Sequence, residues 1–167
     1  MLQPNAEWRW ITEEQYLALE LGQAMCFKTP YKIDYLCQDT QCSSLFTLEH
    51  HEIYSTIADA LGEYDCWTGA QKTQIAINAL ALLSFGKVIA AKSWFFEPAS
   101  QEDRIYQYQT AYLKVKGVSF QVMVLAFEND CAYCMLLSDE MFFGGNKTVR
   151  QFFPIKVMAN RLFSSAQ

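Results

Sequence analysis

Two adjacent histidines are the first residues in this chain that could do chemistry. His50 and His51 are the only histidines, and Glu52 follows them. Neighbouring positions on a helix point about 100° apart, so these two imidazoles do not readily converge on one metal ion. Because no histidine occurs elsewhere in the chain, most Ser/His and Cys/His catalytic arrangements are also excluded. We interpret the pair as two exposed histidines in the first turn of a helix.

Cysteines form two spaced pairs, Cys131–Cys134 and Cys37–Cys42. Together they could offer four thiolates to zinc, but zinc ribbons place each pair on a turn where both sulfurs converge. Cys131 and Cys134 lie in a predicted strand, where positions three apart face opposite sides. A thioredoxin-type motif would instead open a helix after a strand. Reduced, structural thiols are therefore the favoured interpretation, and we expect no metal site and no cofactor.

Three pairs of acidic residues fall at predicted turns: Glu13-Glu14, Glu102-Asp103 and Asp139-Glu140. General acid–base catalysis would need such carboxylates desolvated in a cleft, so solvation explains them better. Gly144-Gly145-Asn146-Lys147 predicts a hairpin turn, because neither a Gly-Lys-Ser/Thr motif nor a helix follows as in a phosphate loop. These patterns leave no catalytic constellation, and the chain is predicted not to be an enzyme.

Four basic residues stand inside apolar or aromatic stretches of a chain whose net charge is −5. They are Lys87, Lys92, Lys156 and Arg161, and Trp94 follows the second of them closely. Such side chains can simply lay their stems on a core and keep the charge in water. The alternative is an apolar pocket rimmed by cations, which would dock an acidic protein surface. The negative net charge argues against nucleic acid as the partner.

Hydrophobic periodicity predicts an N-terminal part of three strands and two helices. Apolar residues alternate over the first thirty residues, which predicts a three-stranded meander. Thr47 caps a first predicted helix that ends at Gly62. A capping box from Thr68 to Gln71 begins a second, nearly buried helix, which ends at Gly86.

The pattern changes to period two after residue 90, which is the predicted domain boundary. Strands are predicted at Trp94 to Phe96, 111–115, 118–127, 131–137, 141–143 and 148–153, whereas 154–163 fits a strand or a short helix. Closely spaced antiparallel strands favour a small barrel or a strongly twisted sheet. We therefore predict an α+β fold, with an N-terminal α/β domain at 1–90 and a twisted, antiparallel, β-barrel-like domain at 91–167.

The chain carries no predicted membrane or export segment. No apolar run approaches the roughly 20 residues that span a bilayer. The N-terminal stretch lacks both the basic and the apolar region of a signal peptide. A cytoplasmic protein without membrane insertion is expected.

Six short stretches, in a fixed order, resemble one known family. They are Trp8-Arg9-Trp10, Leu17 to Leu21, Met25-x-Phe27, Asn78-Ala79-Leu80, Lys92-Ser93-Trp94-x-Phe96 and Ile155-Lys156-Val157-Met158-x-Asn160-Arg161-Leu162. The chain resembles the cell-division Z-ring-associated protein C family, ZapC. Order and spacing are kept over nearly the whole length, while residues 31–52 and 98–150 match only in pattern.

The resemblance implies a non-enzymatic cell-division protein that binds the tubulin-like GTPase FtsZ at the mid-cell septum. Such a protein bundles and stabilises FtsZ filaments and dampens their GTP turnover, and self-association stays open. Family binding positions carry over onto Lys87, Lys92, Arg161 and Leu19, and Trp94 and Lys156 belong to the same predicted patch. Asn160 departs from the family, which usually has an aspartate before the arginine.

Two other functions are compatible with the sequence alone. One is a β-barrel module that binds a small molecule or a peptide in the same pocket. The other is an interaction domain stabilised by zinc through the cysteines.

Overall fold

Alternating apolar residues build the first sheet of the chain. The computed structural model describes residues 1–37, 44–99, 104–143 and 147–166, which divide into two units, Met1–Val88 and Ile89–Gln167. In the first unit, four antiparallel strands follow the order β3-β2-β1-β4. They are β1 (Arg9–Glu13), β2 (Tyr16–Gly22), β3 (Met25–Lys32) and β4 (Ser44–Leu45). The predicted meander is confirmed, and the short β4 extends it beside β1.

Two-residue turns fix the register of this meander. Gln23 and Ala24 have φ of 51° and 61°, and Glu14 and Gln15 have φ of 47° and 71°. Paired positive φ values are typical of the tight hairpin turns that match strand twist. As a result Leu19 lies opposite Trp10 on one side and Phe27 on the other, in the middle of the sheet.

Two helices begin at the predicted caps. The first, α1 (Leu48–Gly62), follows Thr47, whose hydroxyl accepts from the N–H of His50 at 3.2 Å. The second, α2 (Gly69–Phe85), follows Thr68, whose N–H donates to the Gln71 side chain at 2.8 Å. A run from Ile75 to Leu82 is buried without interruption, so the predicted burial of α2 is confirmed. None of the described helices is long and apolar enough to cross a membrane.

The second unit is built on an antiparallel sheet of order β10-β7-β6-β5. Its strands are β5 (Thr110–Val115), β6 (Val118–Glu128), β7 (Cys131–Leu136) and β10 (Pro154–Met158). The hairpin of β8 (Glu140–Phe143) and β9 (Lys147–Arg150) forms a separate two-stranded sheet. The predicted Gly144–Asn146 turn lies outside the described residues. The two helices and the mostly antiparallel sheets confirm the α+β class.

The second sheet is not a closed barrel, because no pairing among the described strands joins β5 to β10. The chain before β5 reaches both edges instead. The N–H of Lys92 donates to the Lys156 carbonyl of β10 at 2.9 Å, and the N–H of Glu97 donates to the Lys114 carbonyl of β5 at 2.9 Å. An irregular segment therefore bridges the two edges where a barrel would need a further strand pair.

The prediction of a strand at Trp94 to Phe96 is wrong. Ser93–Phe95 is a 3₁₀ helix, in which the N–H of Phe96 donates to the Ser93 carbonyl at 3.1 Å. A segment that crosses from one sheet edge to the other cannot run along either edge as a strand. The ambiguous stretch 154–163 contains both predicted elements, because β10 is followed by a 3₁₀ helix at Ala159–Arg161.

Candidate functional site

Trp94 is a large aromatic side chain on the surface of the second unit. It is 72% exposed, and its ring lies 5.5 Å from that of Phe95. Phe95 in turn packs edge-on against the buried Phe143 at 5.5 Å. The preceding Ser93 accepts a hydrogen bond from the N–H of Met158 at 2.8 Å, which ties this turn to β10. Trp94 is therefore an exposed apolar group on a firmly held support.

Five side chains on these two bonded segments form the candidate site, named here the β10 surface: Lys92, Trp94, Lys156, Met158 and Arg161. On β10 the buried Ile155 and Val157 alternate with Lys156 and Met158, so the latter two share the outer face. Met158 is 43% exposed. An apolar residue beside basic ones gives this face the character expected of a site for an acidic and apolar partner.

Lys92 is exposed and carries a charge that no acidic side chain of the described ranges neutralises. Its main chain is fixed by the hydrogen bond to Lys156, and its ammonium group lies 5.9 Å from the centre of the Phe143 ring. A contact of this kind orients the side chain without removing its charge. Lys92 is thus available to a negatively charged partner.

Arg161 ends the 3₁₀ helix that follows β10. The residue is partly buried, and its Nε atom is shielded from solvent without a hydrogen-bond partner among the residues described. Buried donors in folded proteins are nearly always paired, and a charged donor left alone is costly. No ion pair of Arg161 is found among the described residues, so its guanidinium group keeps a positive charge that an acidic partner could neutralise.

Lys156 differs from the other two cations because it has an acidic partner. Its ammonium group lies 2.9 Å from the Glu128 carboxylate, and its side chain is 18% exposed compared with 67% for Glu128. The hydrogen bond between the two groups, with their mutual attraction, raises the pKa of Lys156 and lowers the pKa of Glu128. The charge of Lys156 is therefore largely balanced within the protein.

Lys87 and Leu19, the two predicted site residues of the first unit, have different environments. Lys87 is exposed and donates to the Asp34 carbonyl at 2.7 Å. Leu19 is 0% exposed, so its side chain cannot reach a partner in this conformation. Phe27, opposite Leu19 in β3, also lines an apolar cavity of about 750 Å³ between the sheet and the start of α2. Leu19 can thus support this cavity wall from within the sheet.

No sequence pattern pointed to Glu128, which lies 28 residues before Lys156 along the chain. The contact depends on the pairing of β7 with β10, which places Lys156 opposite Tyr133, close to the β6–β7 turn. The large cavity of the first unit was missed for the same reason, since its lining residues come from the N-terminal segment, β2, β3 and α2. Hydrophobic alternation in those strands shows only that one face is covered.

The interpretation of both histidines as exposed is wrong for His50. His51 is exposed, but His50 is half-buried, with its ring 5.4 Å from Phe46, 5.8 Å from Phe85 and 6.1 Å from Trp10. Its Nδ1 accepts from the N–H of Thr47 at 3.1 Å and so completes the cap of α1. Burial lowers the pKa of His50, while the nearby Glu49 acts in the opposite direction.

Cysteines do not assemble into a site in the described parts of the chain. Cys134 is fully buried between Val124 and Ile155, and burial raises the pKa of its thiol. Cys131 is only partly buried, in agreement with the predicted opposite orientation of the two side chains. Across the described ranges no three His, Cys, Asp or Glu side chains are grouped to hold a metal ion. Cys42 lies outside the described residues.

Comparison with known proteins covers the whole chain. Residues 1–87 match the family described as "Cell-division protein ZapC, N-terminal", and residues 88–167 match "Cell-division protein ZapC, C-terminal". The proteins named "Cell division protein ZapC" from Pseudoalteromonas atlantica and Shewanella oneidensis are each 35% identical to this chain. The matches span 97% of this chain and 93% of each relative.

A relative of the same name from Shewanella woodyi is 34% identical, over 97% of this chain and 91% of its own length. The family matches and these relatives together cover nearly the whole chain. The chain belongs to the ZapC family of cell-division proteins.

Proposed function

We propose that this protein binds filaments of the tubulin-like GTPase FtsZ and bundles and stabilises them, acting in the cytoplasm at the mid-cell division septum. It does so without catalysis of its own and without a cofactor. The observation that carries the proposal is the β10 surface, where an exposed Trp94 lies on the same two segments as the unneutralised Lys92 and Arg161. Membership of a cell-division family supports a partner at the division ring.

Binding between these two proteins combines a long-range repulsion with a contact attraction. The chain has a net charge of −5, and FtsZ is expected to be acidic as well. At physiological salt the repulsion is screened beyond about 8 Å, so only groups at contact distance decide the outcome. There Lys92 and Arg161 attract carboxylates while Trp94 provides apolar area, the combination found at many binding hot spots.

Bundling requires two contacts per molecule, since one protein must join two filaments. The second unit offers the β10 surface. The first unit offers either Lys87, just after the end of α2, or the apolar cavity near Phe27 at the start of that helix. Each is a separate candidate for a filament contact. A self-associated pair of molecules with one contact each is the alternative arrangement.

Co-sedimentation with polymerised FtsZ tests the proposal. We expect Trp94→Ala, Lys92→Asp and Arg161→Asp each to reduce the amount that sediments with filaments by about tenfold, the size typical of a hot-spot side chain. Arg104→Asp is the matched control, because Arg104 is an exposed cation of the same unit outside the β10 surface. Light scattering of the same mixtures reports bundling, and steady-state GTP hydrolysis reports the predicted dampening.

Full co-sedimentation of all three folded variants would overturn the assignment of the surface. Absence of sedimentation by the unmodified protein would overturn FtsZ binding itself.

The cavity of about 750 Å³ in the first unit favours a second candidate function, the binding of a small apolar molecule or peptide. Volumes of this size are usual for ligand sites in proteins. A rise in melting temperature on addition of a ligand, with FtsZ absent, would support this function.

A further inference from the structure

The ion pair of Lys156 and Glu128 places an acidic group of the protein itself on the β10 surface. Lys156 is mostly covered, whereas Glu128 is mostly exposed, with their charged atoms 2.9 Å apart. Among the three cations of this surface, Lys156 alone makes an ion pair with a described residue. The surface therefore presents two available cations and a third that already binds a carboxylate.

Glu128 is held beside β10 by the turn that follows it. It ends β6, and Asn129 and Asp130 form a tight turn with φ of 46° and 61° before β7 begins. The N–H of Ala159, one residue beyond β10, donates to the Asp130 carbonyl at 2.8 Å. This bond fixes the turn to the same segment that carries Lys156, Met158 and Arg161.

Exchange of Glu128 for another carboxylate would cost the protein little. Glu128 is well solvated once it leaves the pair, and the mostly covered Lys156 is not left unpaired, because the incoming carboxylate takes the place of Glu128. Glu128 is 67% exposed, so its side chain can swing into water while its backbone stays in the turn. Lys156, held in the outer face of β10, keeps its position and can accept a new acidic partner.

We propose that Glu128 occupies the place on Lys156 that an acidic side chain of the bound filament takes, and that it thereby sets how tightly the β10 surface binds acidic partners. This inference rests on the proposed function. The filament group it requires is an Asp or Glu next to an apolar side chain, so that the carboxylate reaches Lys156 while the apolar group contacts Trp94 and Met158. Glu128 then competes for Lys156 and disfavours partners that lack an acidic side chain next to an apolar one.

The substitution Glu128→Gln tests this exchange directly. It removes a competing and repelling carboxylate and keeps the size of the side chain. We expect the apparent Kd for polymerised FtsZ, from co-sedimentation titrations of the full chain, to fall about two- to fivefold, the range of exposed ion-pair effects. Glu140→Gln is the matched control, since Glu140 is an exposed carboxylate of the same unit located on β8.

A double-substitution cycle separates the proposed competition from a general charge effect. In a Lys156→Gln background, Glu128→Gln should no longer tighten binding, because the cation for which the carboxylates compete is absent. Equal Kd values for the unmodified and Glu128→Gln proteins would overturn the inference while FtsZ binding stands. A gain that persists in the Lys156→Gln background, or an equal gain from Glu140→Gln, would overturn it too. If the unmodified protein does not sediment with filaments, both proposals fail.

Discussion

At the residue scale, His50 has a task usually given to Glu or Gln. In a capping box the third helical residue accepts a hydrogen bond from the N–H of the capping residue. Here the Nδ1 of His50 takes this role toward Thr47, in contact with the rings of Trp10, Phe46 and Phe85. Only the neutral imidazole has a lone pair on Nδ1, so the cap is complete only when His50 is unprotonated.

Stability should therefore fall in mild acid. Burial lowers the pKa of His50 below its ordinary value of 6.5, and Glu49 is the charged neighbour that opposes this shift. The unfolded chain then binds the proton more readily than the folded one. The contribution of neutral His50 to the free energy of unfolding is therefore present above pH 6.5 and is lost as pH falls through the folded pKa. We expect His50→Gln, which keeps an acceptor but does not titrate, to weaken the dependence of urea midpoint on pH between 7.5 and 5.

His51→Gln is the control, because His51 is exposed and adjacent. It should leave the pH dependence unchanged. A His50→Gln protein with the pH dependence of the unmodified chain would show that His50 is not the titrating group.

At the element scale, the start of α2 depends on an exposed cap that can be tested alone. The hydroxyl of Thr68 accepts from the N–H of Gln71 at 3.3 Å, and neither residue belongs to the core. Thr68→Ala should lower the free energy of unfolding by about 1 kcal/mol, the usual effect of losing a capping side chain. Urea unfolding with an unchanged m-value is the measurement.

Thr56→Ala is the matched control for this prediction. Thr56 lies in the interior of α1 and donates to the Glu52 carbonyl at 2.8 Å, outside any cap. Alanine is the better helix former at such a site, so the change should be neutral or slightly stabilising. Equal losses from both substitutions would contradict a specific role for the cap.

Elements whose determinants are local could be predicted from the sequence, and those fixed by distant partners could not. The meander, α1 and α2 follow from alternation, caps and glycine within a few residues of each element. The turn at Ser93–Phe95 is different, because its path depends on the carbonyls of Lys156 and Lys114, which are far away in sequence. The cations of the candidate site were recognisable by type, but whether each has a partner depended on strand pairing, as Glu128 shows.

At the scale of the whole molecule, a protein with a negative net charge carries a locally basic surface. The chain carries 18 acidic and 13 basic residues, yet the five side chains that define the β10 surface are three cations and two apolar groups, and only Lys156 among these cations is paired with a described carboxylate, that of Glu128. If this surface binds a filament as proposed, its two components should respond differently to salt. Ionic contacts between exposed groups weaken as the Debye length shortens, whereas burial of Trp94 does not depend on screening.

A salt titration of the variants therefore separates the two components. The quantity to follow is the Kd of a variant divided by the Kd of the unmodified protein. Between about 0.1 M and 0.3 M salt we expect this ratio for Lys92→Gln to fall toward one, because screening removes the same attraction in the unmodified protein. The ratio for Trp94→Ala should stay the same over this range of salt, since the lost contact is apolar. Each ratio of Kd values is taken at one salt concentration, so changes in the filaments themselves cancel. Parallel behaviour of the two variants would contradict this division, because it would mean that the cation and the indole contribute through one coupled contact.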